Sequence, residues 1–123
     1  MPGKTIITCL SLIAVDGDMA KCDGVLLRPM GDGAPHVSGF DAPEKGGRAK
    51  CAHERQLAEL ATQRFAELIA TPGMAIESSG VSDRYDRPLV AMRLPDGSTV
   101  GRHMIAEGLA EVWKPGRRID WCQ

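Results

Sequence analysis

Thr5-Ile6-Ile7-Thr8-Cys9-Leu10-Ser11-Leu12-Ile13-Ala14-Val15 runs into Asp16-Gly17-Asp18, and the reading of that junction decides the fold. Lys4 followed by an apolar run has the outline of a secretory leader, but a turn signal follows it where a small-residue cleavage site should stand. The run is also well short of the ~20 apolar residues of a membrane span. It is β-branched and aliphatic and reads as a buried strand closed by a tight turn. Residues 19–28 then return as a second strand.

Outward from this hairpin, Pro29 to Pro35 is dense in turn formers and reads as a loop. His36 to Phe40 is a short third strand ended by Asp41-Ala42-Pro43. Residues 51–70 carry the strongest helical signal: Leu57, Leu60, Ala61, Phe65 and Leu68 recur on one face, with Glu54, Glu59, Arg64 and Glu67 between them. Thr71-Pro72-Gly73 stops that helix. Residues 74–79 and 89–94 alternate as strands, and residues 101–108 form a second helix with Met104, Ile105 and Leu109 turned inward. The tail from Trp113 has no apolar periodicity. The pattern gives one small α+β domain, residues 1–123, with a barrel-like sheet.

Composition narrows the chemistry. The chain carries 15 Lys and Arg against 16 Asp and Glu, a net charge of −1. A protein that coats nucleic acid through its overall field is far more basic. Phosphate recognition here has to be local, from a few arginines and a metal.

Cys9, Cys22, Cys51 and Cys122 lack the C-x-x-C pairs of a zinc site. Two readings stand, four buried thiols or two disulfides. With Asp16-Gly17 in a hairpin turn, Cys9 and Cys22 fall nearly opposite one another, within disulfide reach. Cys51 and Cys122 would then bracket most of the domain. Paired cysteines place the protein in an oxidising compartment, periplasmic or secreted.

Two acidic clusters sit at strand ends: Asp16-Gly17-Asp18, and Asp41-Ala42-Pro43-Glu44. Carboxylates converging from separate strand ends make a hard oxygen site for Ca²⁺ or Mg²⁺. Either cluster alone is also ordinary turn chemistry. Their order is more specific. Val15-Asp16-Gly17-Asp18, then Gly39-Phe40-Asp41-Ala42-Pro43-Glu44-Lys45, then Asp83-Arg84-Tyr85-Asp86-Arg87-Pro88-Leu89, then Leu94-Pro95-Asp96-Gly97 and Ile105-Ala106-Glu107-Gly108-Leu109-Ala110 together resemble the staphylococcal nuclease family, over roughly residues 5–113.

That resemblance implies an OB-type five-stranded β-barrel with two or three helices packed against it, acting as a calcium-dependent, monomeric nuclease on single-stranded DNA or RNA, with no membrane association. It implies Asp18, Asp41 and the backbone carbonyl of Ala42 as calcium ligands and Glu44 as the group that orients or deprotonates the attacking water. Arg87 would bind the scissile phosphate, with Tyr85 and Arg84 beside the substrate. Phosphodiester hydrolysis builds negative charge on oxygen, so a metal and arginines aimed there lower the barrier most.

The match departs at three positions. The family places an arginine five residues before the second aspartate, and His36 stands there. Histidine is mostly neutral near pH 7 and offers no bidentate fork to phosphate. Arg28, at the edge of the Pro29–Pro35 loop, is the alternative source of that charge. Met19 follows Asp18 where the family has a threonine, and Asp86 replaces a glycine. These departures support a second reading, a barrel that binds nucleic acid or another anion without cutting it. A third reading is a secreted interaction domain whose acidic clusters only shape turns.

Overall fold

The computed structural model describes residues 5–30, 39–112 and 119–122. Among the described residues, eleven elements follow one another. Strands β1 (Thr5–Ile7), β2 (Leu12–Ala14), β3 (Ala20–Cys22), β4 (Val25–Pro29) and β5 (Phe40–Asp41) come first, then a 3-10 turn (Gly46–Arg48) and helix α1 (Ala52–Ile69). Strands β6 (Ala75–Ser82) and β7 (Pro88–Arg93), helix α2 (Val100–Ala106) and strand β8 (Glu111–Val112) complete the series.

The sheet order is β1-β6-β7-β4-β3-β2. Its two ends belong to a single chain segment: β1 pairs antiparallel with β6 (Ile7 opposite Ile76) and β2 pairs antiparallel with β3 (Ala14 opposite Ala20). Residues 8–11 carry the chain from one edge to the other, so five chain segments curl into an OB-like barrel. The pair β4–β7 is parallel, with Arg28 opposite Leu89. β7 runs through the middle of the sheet, and its residues Leu89 to Met92 are all buried. β5 and β8 make a separate antiparallel pair beside it.

The returning strand is shorter than its composition suggests. Residues 19–28 do not run straight; they fold at Asp23 and Gly24, whose φ angles of 49° and 87° are left-handed. An Asp-Gly pair suits such a two-residue hairpin turn. The Asp23 carboxylate also accepts the amides of Leu10 (3.1 Å) and Ser11 (2.7 Å), which fixes the crossing segment. Cys9 and Cys22 then stand at disulfide distance, with Cα atoms 5.4 Å apart, and Cys51 and Cys122 do so with Cα atoms 6.1 Å apart.

Helix α1 lies across the barrel on the face that Ala61, Phe65 and Leu68 mark, with Leu57 half-buried and Leu60 turned outward. Ala58, Ala61, Phe65, Leu68 and Ile69 are buried, whereas Leu60 is 55% exposed. Close approach is the reason. A Cβ added at Gly17 would lie 2.8 Å from the Ala61 Cβ, so only small residues fit where the helix meets the Asp16–Asp18 turn. Phe40, Phe65, Leu27, Met92 and Met104 fill the core between sheet and helices, each burial contributing about 1.5–3 kcal/mol. The α2 reading is borne out: Met104 is fully buried, with Ile105 and Leu109 packed against the core.

Candidate active site

The Asp16–Asp18 turn joins β2 to β3. Asp16 Oδ1 accepts the Asp18 amide at 3.0 Å, and the turn closes on the Met19 carbonyl through the Val15 amide at 2.9 Å. Gly17 is required beneath it, because a Cβ there would meet the Cβ of Ala42 at 2.7 Å as well as Ala61. Flattened against α1, the turn aims Asp18 across the barrel end toward β5.

Asp18 Oδ2 accepts the Ala42 amide at 2.9 Å and faces Arg28 Nη1 at 3.3 Å. Arg28 rises from the end of β4, with its Nη2 3.0 Å from Asp41 Oδ1 and donating to the Phe40 carbonyl at 2.8 Å. Asp18 and Asp41 thus converge on one guanidinium. Met30 and Gly39 are bridged, so residues 31–38 depart and return at one point of the barrel. With those residues set aside, Arg28 stands five positions before Asp41. His36 lies outside the described residues, as does Trp113.

The electrostatics follow from burial. Desolvation pushes the Asp18 carboxyl up to about 7; Arg28 and the Ala42 amide work against that rise, and Asp16 adds to it. Burial also works against the Arg28 charge, but Asp18 and Asp41 outweigh it and hold the guanidinium above its ordinary value. Glu44 is raised by partial burial and then by Asp18, while Arg48 opposes both.

Glu54 is a functional position that the helical pattern concealed. It falls among the outward positions by type, yet it is only 4% exposed. Its Oε2 accepts the Glu44 amide at 3.0 Å and its Oε1 the Lys50 amide at 2.8 Å, so the loop carrying Glu44 hangs from the first turn of α1. Cys51 caps the same turn, its sulfur accepting the Glu54 amide. The one available signal was an acidic residue three positions after the cap, the spacing of a capping box. Lys45 adds a second tie, from Nζ to the Val15 carbonyl at 2.9 Å.

Arg87 approaches from the β6–β7 connection. Its Nε bonds Asp83 Oδ2 at 2.7 Å, and Nη1 lies 3.5 Å from the sulfur of Met19, the neighbour of Asp18. Tyr85 is 64% exposed and is flanked by the guanidinium groups of Arg84 and Arg87, 4.9 and 5.1 Å from its ring centroid. Asp86 adopts a φ of 63°, the left-handed conformation expected where a glycine has been replaced.

Among the described residues no group of three or more His, Cys, Asp and Glu stands close enough together to hold a metal ion. The donor chemistry at the Asp18–Asp41 end nevertheless suits a hard cation. Asp18 and Asp41 reach the same guanidinium with hard oxygen donors, and burial raises the Asp18 carboxyl, so a cation bound there would favour its ionised form. No described helix is long and apolar enough to cross a membrane.

No curated protein sequence matches the chain. A family profile does, that of the staphylococcal nuclease homologues, over residues 36–120. That span includes Asp41, Glu44, Arg87 and most of the described fold, and the sheet upstream of it closes the OB-like barrel expected of the family. The chain belongs to the staphylococcal nuclease homologue family.

Proposed function

We propose that the protein is a calcium-dependent nuclease that hydrolyses phosphodiester bonds in single-stranded DNA or RNA. Domains of this family act on nucleic acids, which supports the substrate class. The observation that carries the reading is the convergence of Asp18 and Asp41 on Arg28, with Glu44 and Arg87 on the elements beside them.

Asp18, Asp41 and the Ala42 carbonyl are the residues that would hold calcium. When bound, the ion supplies positive charge to the phosphate oxygens as the bond breaks. Arg28 takes the place of the family arginine that His36 lacks, and its planar fork, together with Arg87, grips the non-bridging oxygens. Glu44 takes a proton from the attacking water, and the raised affinity of its carboxyl for a proton suits that task. Water oxygen bonds to phosphorus, the bond to the leaving nucleotide oxygen breaks, that oxygen takes a proton from solvent to leave as a hydroxyl, and Glu44 then releases the proton it took to solvent. Tyr85, flanked by Arg84, offers an exposed ring on which a base or sugar can stack. The paired cysteines suit a periplasmic or secreted enzyme.

The test is cleavage of single-stranded DNA and RNA with Ca²⁺ and then with chelator. Calcium-dependent cleavage that falls ~10²–10³-fold in Glu44→Gln is the expected result. The second reading, binding without cutting, is favoured by one observation: Arg28 already satisfies both carboxylates. Binding of the same strands with no cleavage under any calcium concentration would establish it.

A further inference from the structure

Positive charge is unevenly placed in this nearly neutral chain. Lys45, Arg48, Lys50 and Arg55 put four of its 15 cations into eleven residues, against Glu54 as the one carboxylate among them. Glu54 is buried and committed to the Glu44 and Lys50 amides, so it does not neutralise the outer face. Lys45 is tied to the Val15 carbonyl, which anchors the segment beside the Asp16–Asp18 turn. Arg48, Lys50 and Arg55 are exposed, and among the described residues none of the three has a carboxylate at ion-pair distance.

Their position is wrong for helix stability. Lys50 and Arg55 flank the start of α1, where the unpaired amides already make the helix end positive and acidic residues are favoured. The same arrangement is right for an anion, because the dipole and the side chains then act in one direction. The Glu44 and Lys50 amides are held by the two oxygens of one carboxylate, that of Glu54, which sets the strip at the rim of the site.

We infer that Arg48, Lys50 and Arg55 form a track for the phosphodiester backbone of a nucleic acid strand, leading away from the site at Glu44. This rests on the reading of the site as phosphodiester-binding and adds the path of the strand beyond the reacting bond. Each phosphate neutralised on a single strand steepens the salt dependence of log K by about 0.7, so three contacts account for a slope of about 2.

The experiment measures anisotropy of a labelled oligodeoxythymidylate in chelator, across a salt series, for the wild type, Arg48→Ala/Lys50→Ala/Arg55→Ala and Arg102→Ala. Arg102 is an exposed cation on α2, and its variant reports the loss of charge elsewhere. The expected result is a slope shallower by about 2 in the triple variant, with affinity at low salt down on the order of tenfold or more, and no slope change in Arg102→Ala. Equal slopes in wild type and triple variant overturn the inference. So does a wild type that does not bind at low salt, or a per-charge change in Arg102→Ala as large as in the triple. Weakened binding to phosphatidylserine vesicles without a change on DNA overturns it in favour of a lipid surface. Absence of cleavage with calcium would defeat the nuclease reading and leave this binding measurement intact.

Discussion

The buried carboxylate of Glu54 holds the backbone amide of Glu44 at 3.0 Å, so the proposed general base is positioned by a residue ten places along the chain. Glutamine at position 54 could accept one of the two amides but would turn its own N–H groups toward the other. Glu54→Gln is expected to lose about 1–3 kcal/mol of stability, the cost of an unsatisfied buried donor. Cleavage should slow through kcat more than through KM, because Glu44 is displaced and the phosphate contacts are not. Thermal melts and steady-state kinetics of the purified variant check both parts.

Arg28 and His36 make opposite predictions for the phosphate clamp. Arg28→Lys, which keeps the charge and loses the fork, should cut the cleavage rate by about 10²–10³ if one oriented donor is lost. His36→Arg should change the rate little. A large gain from His36→Arg with no loss from Arg28→Lys would return the role to position 36.

Gly17 leaves no room for a side chain, with Ala42 and Ala61 both under 3 Å from the position of an added Cβ. Gly17→Ala should destabilise the protein by about 1–3 kcal/mol and weaken calcium binding, since the turn carrying Asp18 must move. Ala61→Gly introduced with it should recover part of the affinity, a coupling that calorimetric titration of the double variant would read.

Asp83 anchors the Arg87 loop and gives it an acid limit. Burial works to raise the Asp83 carboxyl, but the Arg87 amide and guanidinium and the Tyr85 amide outweigh it and hold it below its ordinary value of 3.8. A depressed folded value means that the stabilisation is present above the unfolded value and lost as pH falls through the folded one. The wild type should therefore shed this contribution only below about pH 4, and Asp83→Asn should lack it at every pH. Thermal midpoints from pH 7 to pH 2 would show the two curves converging at the acid end.

The two disulfide pairs differ in the loops they close, with sequence separations of 13 and 71. Chain entropy assigns about 3 kcal/mol to the first and about 4 kcal/mol to the second. Replacing Cys51 and Cys122 by serine should lower the denaturation midpoint more than replacing Cys9 and Cys22. It should also slow cleavage more, since Cys51 caps the turn from which Glu54 reaches Glu44.

Strand chemistry and turn signals made the barrel legible in outline. The helix ended by Thr71-Pro72-Gly73 and the two later strands stand close to where their residues place them. The apolar run before Asp16 does not form one buried strand: it splits into β1 and β2 to pair with both edges of the sheet, and Ile6, Leu10 and Ile13 are exposed. The returning strand was misread because the apolar residues on both sides of Asp23-Gly24 masked a hairpin turn. The face of α1 was legible from Ala61, Phe65 and Leu68, all buried; only Leu60 was misplaced, and Ala58 takes its share of the contact. Asp18, Asp41 and Glu44 could be named from short motifs at strand ends. Glu54 carried only the capping-box spacing after Cys51, and that spacing does not show its burial; its partners lie four and ten residues upstream. The strain at Asp86 was visible from the residue it replaces.

The Met30–Gly39 bridge carries one more consequence. To the barrel, the chain between those residues has no length: whatever is spliced in there, β4 ends and β5 begins at the same hydrogen-bonded step. To any comparison that counts positions, the same place is a rupture that separates Arg28 from Asp41. The family profile begins at residue 36, inside that interval, so Asp18 and Arg28 lie outside the matched residues.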